Sequence, residues 1–346
     1  MDHVVAQIQT PWEKPPGHGE ALKVAEGLYW IRMPLPMKLD HVNVYVLDDG
    51  DGWTLIDTGM GSRKTKGIWE VLLAGPLSGK LVKRVILTHH HPDHVGLAGW
   101  FQNNHRVELW ATRTTYLMAR MLTLDVQETP PPETLTFWQR AGMDPEILSE
   151  RASGKWFNFA DKVSPISLGY KRIVQDDVLS MGGRDWTVHI GNGHAPEHAT
   201  FWSHTDNLVI AGDQIISSIS PNLGVFATEP EADPVGEWLE SCERLSQLAN
   251  SRHVVFSGHK MPFSGLPFRL KQLIDNHHSA LERLLPFLES PRSAVECFQP
   301  LFKRRIGEEE YGLALVESIG HLNHLFKQGK VLRTSDQDGV YRFQQV

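Results

Sequence analysis

Between Val85 and Trp100 the chain reads VILTHHHPDHVGLAGW, which places His89, His91, Asp93 and His94 within six positions. Imidazole and carboxylate are the ligand types that suit Zn, Fe and Mn. Apolar Val85, Ile86 and Leu87 ahead of them read as a buried strand, and the apolar run behind them reads as a helix over 94–103. His89 and His91 lie two apart, so extended backbone projects them to one side. Asp93, after Pro92, falls where a helix N-cap is expected, with His94 in the first turn. The chain has 18 histidines, so a single one carries little weight. Three with an aspartate at a strand-to-helix junction point to a metal site.

Three more candidate ligands each end an expected strand. They are His194 in Gly193-His194-Ala195-Pro196-Glu197-His198, Asp213 after Ala211-Gly212, and His259 after Ser257-Gly258. With the first motif they make five histidines and two aspartates, enough for two metals sharing one carboxylate. A further strand ends in Asp57-Thr58-Gly59. The sequence holds no GxSxG elbow, no Walker loop and no HExxH to compete with this reading.

The elements that must position these residues come in two similar successions, roughly 22–112 and 172–260. Each alternates strand-like and helix-like segments and ends its strands in His or Asp. A two-sheet core with helices on both outer faces fits that pattern. Asp49-Gly50-Asp51-Gly52 signals a hairpin turn and 62–74 an amphipathic helix. Residues 113–171 interrupt the succession as a helical insertion rich in aromatic residues and Met. It is expected to cap a pocket rather than only pack on the scaffold. Residues 267–346 differ again, with helical runs at 268–289, 293–302 and 308–329 followed by a hairpin turning at Asp338-Gly339. That is the outline of a winged-helix module. Its positive and negative charges nearly cancel, which favours a packing or dimerisation role over nucleic-acid binding. The expected division is a catalytic domain at 1–266 and the winged-helix-like module at 267–346.

On these motifs the chain resembles the metallo-β-lactamase-fold superfamily over about 22–262. The resemblance implies an α+β fold, an αββα sandwich of two mixed sheets flanked by helices. It assigns His89, His91 and His194 to a first metal, Asp93, His94 and His259 to a second, and Asp213 to both. Asp57 and His198 would support these ligands from behind. Glu197 departs from the pattern, because many relatives have glycine there. The tail resembles, by pattern rather than motif, the winged-helix extension of a β-lactamase-like branch that includes an endoribonuclease.

Two divalent ions, most simply Zn and alternatively Fe or Mn, would hold a hydroxide between them near neutral pH. That hydroxide would attack a carboxyl derivative (thioester, ester or lactone), with Asp93 handling the proton. The runner-up substrate is a phosphodiester of nucleic acid, and the same ligands would also serve an iron-dependent oxidoreductase. Ser218, Ser220 and Asn222, on the loop after Asp213, and Lys260, beside His259, are candidate substrate contacts.

Composition bounds these readings. At 346 residues the chain can bury a large core, and 41% hydrophobic with 22% charged residues is ordinary for a globular protein. A net charge of −7 argues against nucleic acid as the main partner, and the basic runs Arg63–Lys66 and Lys303–Arg305 are short. Cys242 and Cys297 form no CxxC pair. The first twenty residues have no signal-peptide pattern and no apolar run is of membrane length, so a cytoplasmic protein acting on a small molecule, monomeric or homodimeric, is expected.

Overall fold

The computed structural model describes residues 7–346. Seven strands form the first sheet, in sequence order. They are β1 (Leu22–Ala25), β2 (Leu28–Pro34), β3 (His41–Asp48), β4 (Gly52–Ile56), β5 (Leu81–Ile86), β6 (Glu108–Ala111) and β7 (Lys171–Arg172). β1 to β4 run antiparallel, and β4 to β7 run parallel. The second sheet holds β8 (Val178–Met181), β9 (Arg184–Gly191), β10 (His198–Ser203), β11 (Leu208–Gly212), β12 (Val254–Ser257) and β13 (Phe263–Ser264). Its strands are antiparallel except for the β11–β12 pair.

Side-chain alternation along the strands builds four layers. Trp30, Tyr45, Leu47, Ile56 and Ile86 from the first sheet meet Trp186, Val188, Phe201, Ile210 and Phe256 from the second in the central core. The alternate residues Ile31, Val44, Val46, Leu55 and Val85 face outward against Trp69 and Leu72 of α1 (Arg63–Ala74) and Phe101. Ser62 caps α1 by accepting from Thr65 N. On the far side, Val209, Ala211 and Val255 pack against the later helices. The fold is α+β, two mixed sheets flanked by helices, as the sequence led one to expect.

Helix boundaries around the first motif differ from the expectation. The 94–103 run forms two pieces, α2 (Pro92–Val95) and α3 (Ala98–His105). The break falls at Gly96, whose carbonyl accepts from Ser164 N, and at Leu97, whose N–H donates to Thr58 Oγ1. The N-cap is His91, not Asp93. Proline is pre-organised for the first helical position, where its missing N–H costs nothing, so the helix starts two residues earlier. Between Arg172 and Val178 the chain passes from one sheet to the other, with β7 closing the first and β8 opening the second.

The insertion contains α4 (Arg113–Leu124), α5 (Pro132–Arg140) and α6 (Pro145–Ser153). It packs on both halves: Tyr116 and Ala119 of α4 join the core under the first sheet, and Phe137 of α5 with Ala141 joins the core behind the second. α7 (Pro234–Leu248), α8 (Leu266–Phe287), α9 (Phe298–Phe302) and α10 (Glu308–Lys327) share that second core with the hairpin β14 (Val331–Ser335) and β15 (Tyr341–Gln345). The helical run expected at 293–302 opens with a 3-10 turn at Val295–Cys297 that leads into α9, and Arg292 just before it pairs with Phe343 of the hairpin. One contiguous cluster therefore runs across residue 266. Among the described residues, no helix is long and apolar enough to cross a membrane.

Candidate metal centre

Parallel pairing brings the candidate ligands to one end of the sandwich. β4 and β5 finish level with each other, and Asp57 N donates to Ile86 O. Asp57 and the segment 88–94 thus leave side by side. β11 and β12 also run parallel, which delivers Asp213 and His259 together. Ala199 N donates to Thr88 O and joins the His194–His198 loop to the first motif across the two sheets.

The seven expected ligands converge. His91 Nδ1 lies 3.0 Å from His89 Nε2 and 3.0 Å from His194 Nε2. Asp93 Oδ2 lies 3.3 Å from His259 Nε2 and 3.7 Å from His94 Nε2. Asp213 Oδ2 sits between the groups, 3.5 Å from His194 Nε2, 3.5 Å from His94 Nε2 and 3.1 Å from His259 Nε2. Three sets are close enough to hold an ion: His89, His91 and His194; His89, His94 and Asp213; Asp93, His94 and His259.

Hydrogen bonds on the far side of each ring fix which nitrogen faces inward. Thr88 Oγ1 donates to Asp57 Oδ2, so it accepts from His89 Nδ1 and leaves the His89 Nε2 lone pair pointing into the cluster. His194 Nδ1 donates to Asn222 O at 3.0 Å, and His259 Nδ1 to His41 O at 2.7 Å. His94 Nδ1 donates to Asp57 Oδ2 at 2.8 Å. His91 Nδ1 carries at most one proton, so at least one of its two short nitrogen contacts is made without a hydrogen bond. Such an arrangement suits a cation. A tetrahedral ion with bonds near 2.0–2.1 Å needs donors about 3.3 Å apart. Two further observations fit an ion: His94 Nε2 and Asp213 Oδ1 are buried with no hydrogen-bond partner. Gly258 is small for the same reason, since a Cβ there would run into Asp213 Oδ1.

Electrostatics divide the cluster. Burial, reinforced by neighbouring imidazoles, pushes His89 and His91 well below the ordinary imidazole range, which leaves them neutral donors. Burial also pulls on His94 and His259. The Asp213 and Asp93 carboxylates outweigh it, holding His94 well above its ordinary value and His259 up at about 10. Burial works against ionisation of Asp213 and Asp93, and the facing imidazoles overcome it and keep both lowered.

The supporting residues take distinct places. Asp57 has φ +62 and accepts from Thr88 N, Thr88 Oγ1 and His94 Nδ1. His198 accepts from Asp213 N through Nε2 and stacks on His89 at 4.6 Å. His90, the middle histidine of the motif, turns away to stack on Phe159 of the insertion, and burial lowers it to about 4. Asn222 offers only its carbonyl to His194, while its amide reaches α10. Ser220 accepts from Asn276, and Lys260 (φ +65) lines a cleft of about 390 Å³ with Trp30, Arg32, His41 and Ser218.

Sequence reasoning missed three holders. Asn43 Nδ2 donates to Ser257 O and Lys260 O, Tyr45 OH donates to Ser257 O, and His41 Nε2 accepts from Lys260 N. Together they grip the loop that carries His259. The signal was present, because Asn43 is a buried amide in the otherwise apolar strand HVNVYVL. Glu197 also has a structural account. Its backbone is left-handed, φ +49, where glycine is easiest, and its Oε2 accepts from Thr114 N at the start of α4 at 2.7 Å.

Comparison with known proteins agrees with this geometry. Residues 37–259 match the Metallo-beta-lactamase superfamily, and residues 281–346 match the Metallo-beta-lactamase-like, C-terminal domain. The chain is 27% identical over 327 residues to the probable metallo-hydrolase YqjP of Bacillus subtilis, covering 91% of this chain and 97% of that one. The crystal structure of a beta-lactamase domain protein from Burkholderia ambifaria aligns over 99% of both chains, with a TM-score of 0.86 and 32% identity. A metallo-beta-lactamase family protein from Thermus thermophilus aligns over 93% of this chain and 100% of its own, with a TM-score of 0.77 and 28% identity.

Proposed function

The chain belongs to the metallo-beta-lactamase superfamily and is a metal-dependent hydrolase; from that premise we propose that it holds two divalent ions and cleaves a thioester, an ester or a lactone. The observation that carries the two-ion reading is the position of Asp213, one carboxylate oxygen facing donors of both groups. His89, His91 and His194 would hold one ion, Asp93, His94 and His259 the other, and Asp213 both. The mainly imidazole donor set suits zinc, and iron or manganese would accept it. When bound, such ions polarise a carbonyl oxygen and lower the pKa of water toward about 7.

The protein's own groups supply the rest. Asp93 is the most open member of its group, its side chain 18% exposed against 3% for His259 and 7% for Asp213. Its carboxylate accepts a proton from the attacking water and passes it to the departing alkoxide or thiolate. The water oxygen joins the carbonyl carbon as the C–O or C–S bond breaks. Phe159 of the insertion stacks on His90, and Phe157 lies 6.2 Å from it, so apolar side chains stand next to the motif, in support of an acyl substrate. The net charge of −7 favours that class over a polyanion.

Metal analysis combined with side-by-side assays of thioesters, lactones and single-stranded RNA tests the proposal. Two ions per chain and acyl cleavage insensitive to salt are expected. One ion or none would refute the two-ion reading, and salt-sensitive RNA cleavage would replace the carboxyl substrate by a phosphodiester. Asp93→Ala is expected to lose about 10²–10⁴-fold in kcat. Turnover near wild type would show that the proton is handled elsewhere.

A further inference from the structure

The loop between Asp213 and α7 lies along α10 of the C-terminal region, fastened at successive points. Asn222 Nδ2 donates to Glu317 Oε2 at 2.8 Å and to Leu313 O at 3.1 Å. Val225 N donates to Val316 O at 3.1 Å. Gly320 lets the backbones approach, since a Cβ there would meet Leu223 O at 2.6 Å. Asn323 Nδ2 donates to Pro230 O and Ala232 O, and His324 Nδ1 meets Asp233, the N-cap of α7, at 3.0 Å. The first of these fastenings matters most for the chemistry. Asn222 turns its carbonyl to His194 Nδ1 and its amide to Glu317, so one residue links the helix to the cluster.

We propose that Glu317 is a positioning residue of the metal site: it holds Asn222, whose carbonyl fixes the tautomer and orientation of His194. The C-terminal region is then a structural part of the centre, and removing its grip loosens one ion selectively. This inference rests on the reading above that His194 faces an ion. A chain of hydrogen bonds behind a ligating imidazole sets both its ring orientation and its basicity, and breaking such a link typically costs 10–100-fold in metal affinity. Glu317 stands one residue further back than the partner that His194 touches, so the lower end, about 10-fold, is expected.

The test is titration of the metal-free protein with cobalt(II), read by the ligand-field absorption of the bound ion and by stoichiometry. Glu317→Ala and, independently, Asn222→Ala are expected to weaken one of two cobalt ions about 10-fold and to shift its absorption band, leaving the other ion unchanged. Glu317→Gln keeps a carbonyl acceptor for Asn222 Nδ2 and is expected to restore wild-type binding. Asn323→Ala cuts the fastening at Pro230 and Ala232 without touching Asn222. It is expected to lower the melting temperature and leave cobalt affinity intact. Unchanged cobalt binding in Glu317→Ala, or an equal loss in Asn323→Ala, would overturn the proposal while leaving the metal site standing. Wild-type protein that binds no cobalt would overturn the metal reading itself, and this inference with it.

Discussion

Replacing Glu197 separates two effects that act at one residue. Its carboxylate satisfies Thr114 N, one of the donors at the start of α4 that have no partner within the helix. A hydrogen bond to a charged acceptor contributes about 1.5 kcal/mol or more. A carboxylate near a helix N-terminus adds about 0.3–1 kcal/mol. Against this, the left-handed backbone at φ +49 costs a residue with a Cβ about 1–2 kcal/mol. Glu197→Ala loses the bond and keeps the strain, so a destabilisation of about 2 kcal/mol is expected. Glu197→Gly loses the same bond and relieves the strain. The freer unfolded chain takes back about 0.4–1 kcal/mol of that relief. The glycine variant is therefore expected to be about 0.5–1 kcal/mol more stable than the alanine variant, and still less stable than wild type. Urea unfolding gives the order, and hydrogen exchange at residues 113–116 shows whether the loss sits at α4. An alanine variant as stable as wild type would refute the anchoring role. A glycine variant less stable than alanine would refute the strain.

Other outcomes follow from the same geometry. Asp57→Asn turns one acceptor oxygen of a carboxylate that serves Thr88 and His94 into a donor, and a 10–100-fold loss of metal affinity is expected in competition with a chromogenic chelator; unchanged affinity would mean that His94 is oriented by something else. Stripping the ions should lower the melting temperature, because they bind only the folded chain: each contributes about 2.7 kcal/mol at a concentration 100 times its Kd. A melting temperature indifferent to chelator would count against an ion-stabilised site. Burial raises Glu317 to about 7, so folding favours its acid form. Its contribution to stability is then full below the unfolded carboxyl value near 4.3 and is lost as the pH rises through about 7. Stability of wild type relative to Glu317→Gln should therefore fall between about pH 4 and 7. Burial lowers the neighbouring His277 and His321 to about 3 and 4, which gives the opposite slope, but both are present in each protein and cancel in the difference. A flat difference would show that Glu317 is already solvated.

The sequence by itself determined the layers and singled out the candidate ligands that the fold brings together. The candidates His89, His91, Asp93, His94, His194, Asp213 and His259 were legible because each lies in a segment that leaves the end of a strand, and the parallel pairs β4–β5 and β11–β12 make two of those segments emerge together with Asp57 and Asp213. The two sheets were legible because strand-like and helix-like segments alternate in two similar successions along the chain. Only tertiary structure decided the fine positions. His91 caps α2 in place of Asp93 because Pro92 competes for the first helical position. Asn222 looked like a loop residue free to meet substrate, and its amide is taken by Glu317, 95 positions away. Glu197 looked like a departure from the family's glycine, and it anchors a helix 83 positions earlier. These are hydrogen bonds between residues distant in sequence. Local spacing carries no trace of such contacts, since neither partner shows a pattern until the fold brings the two together.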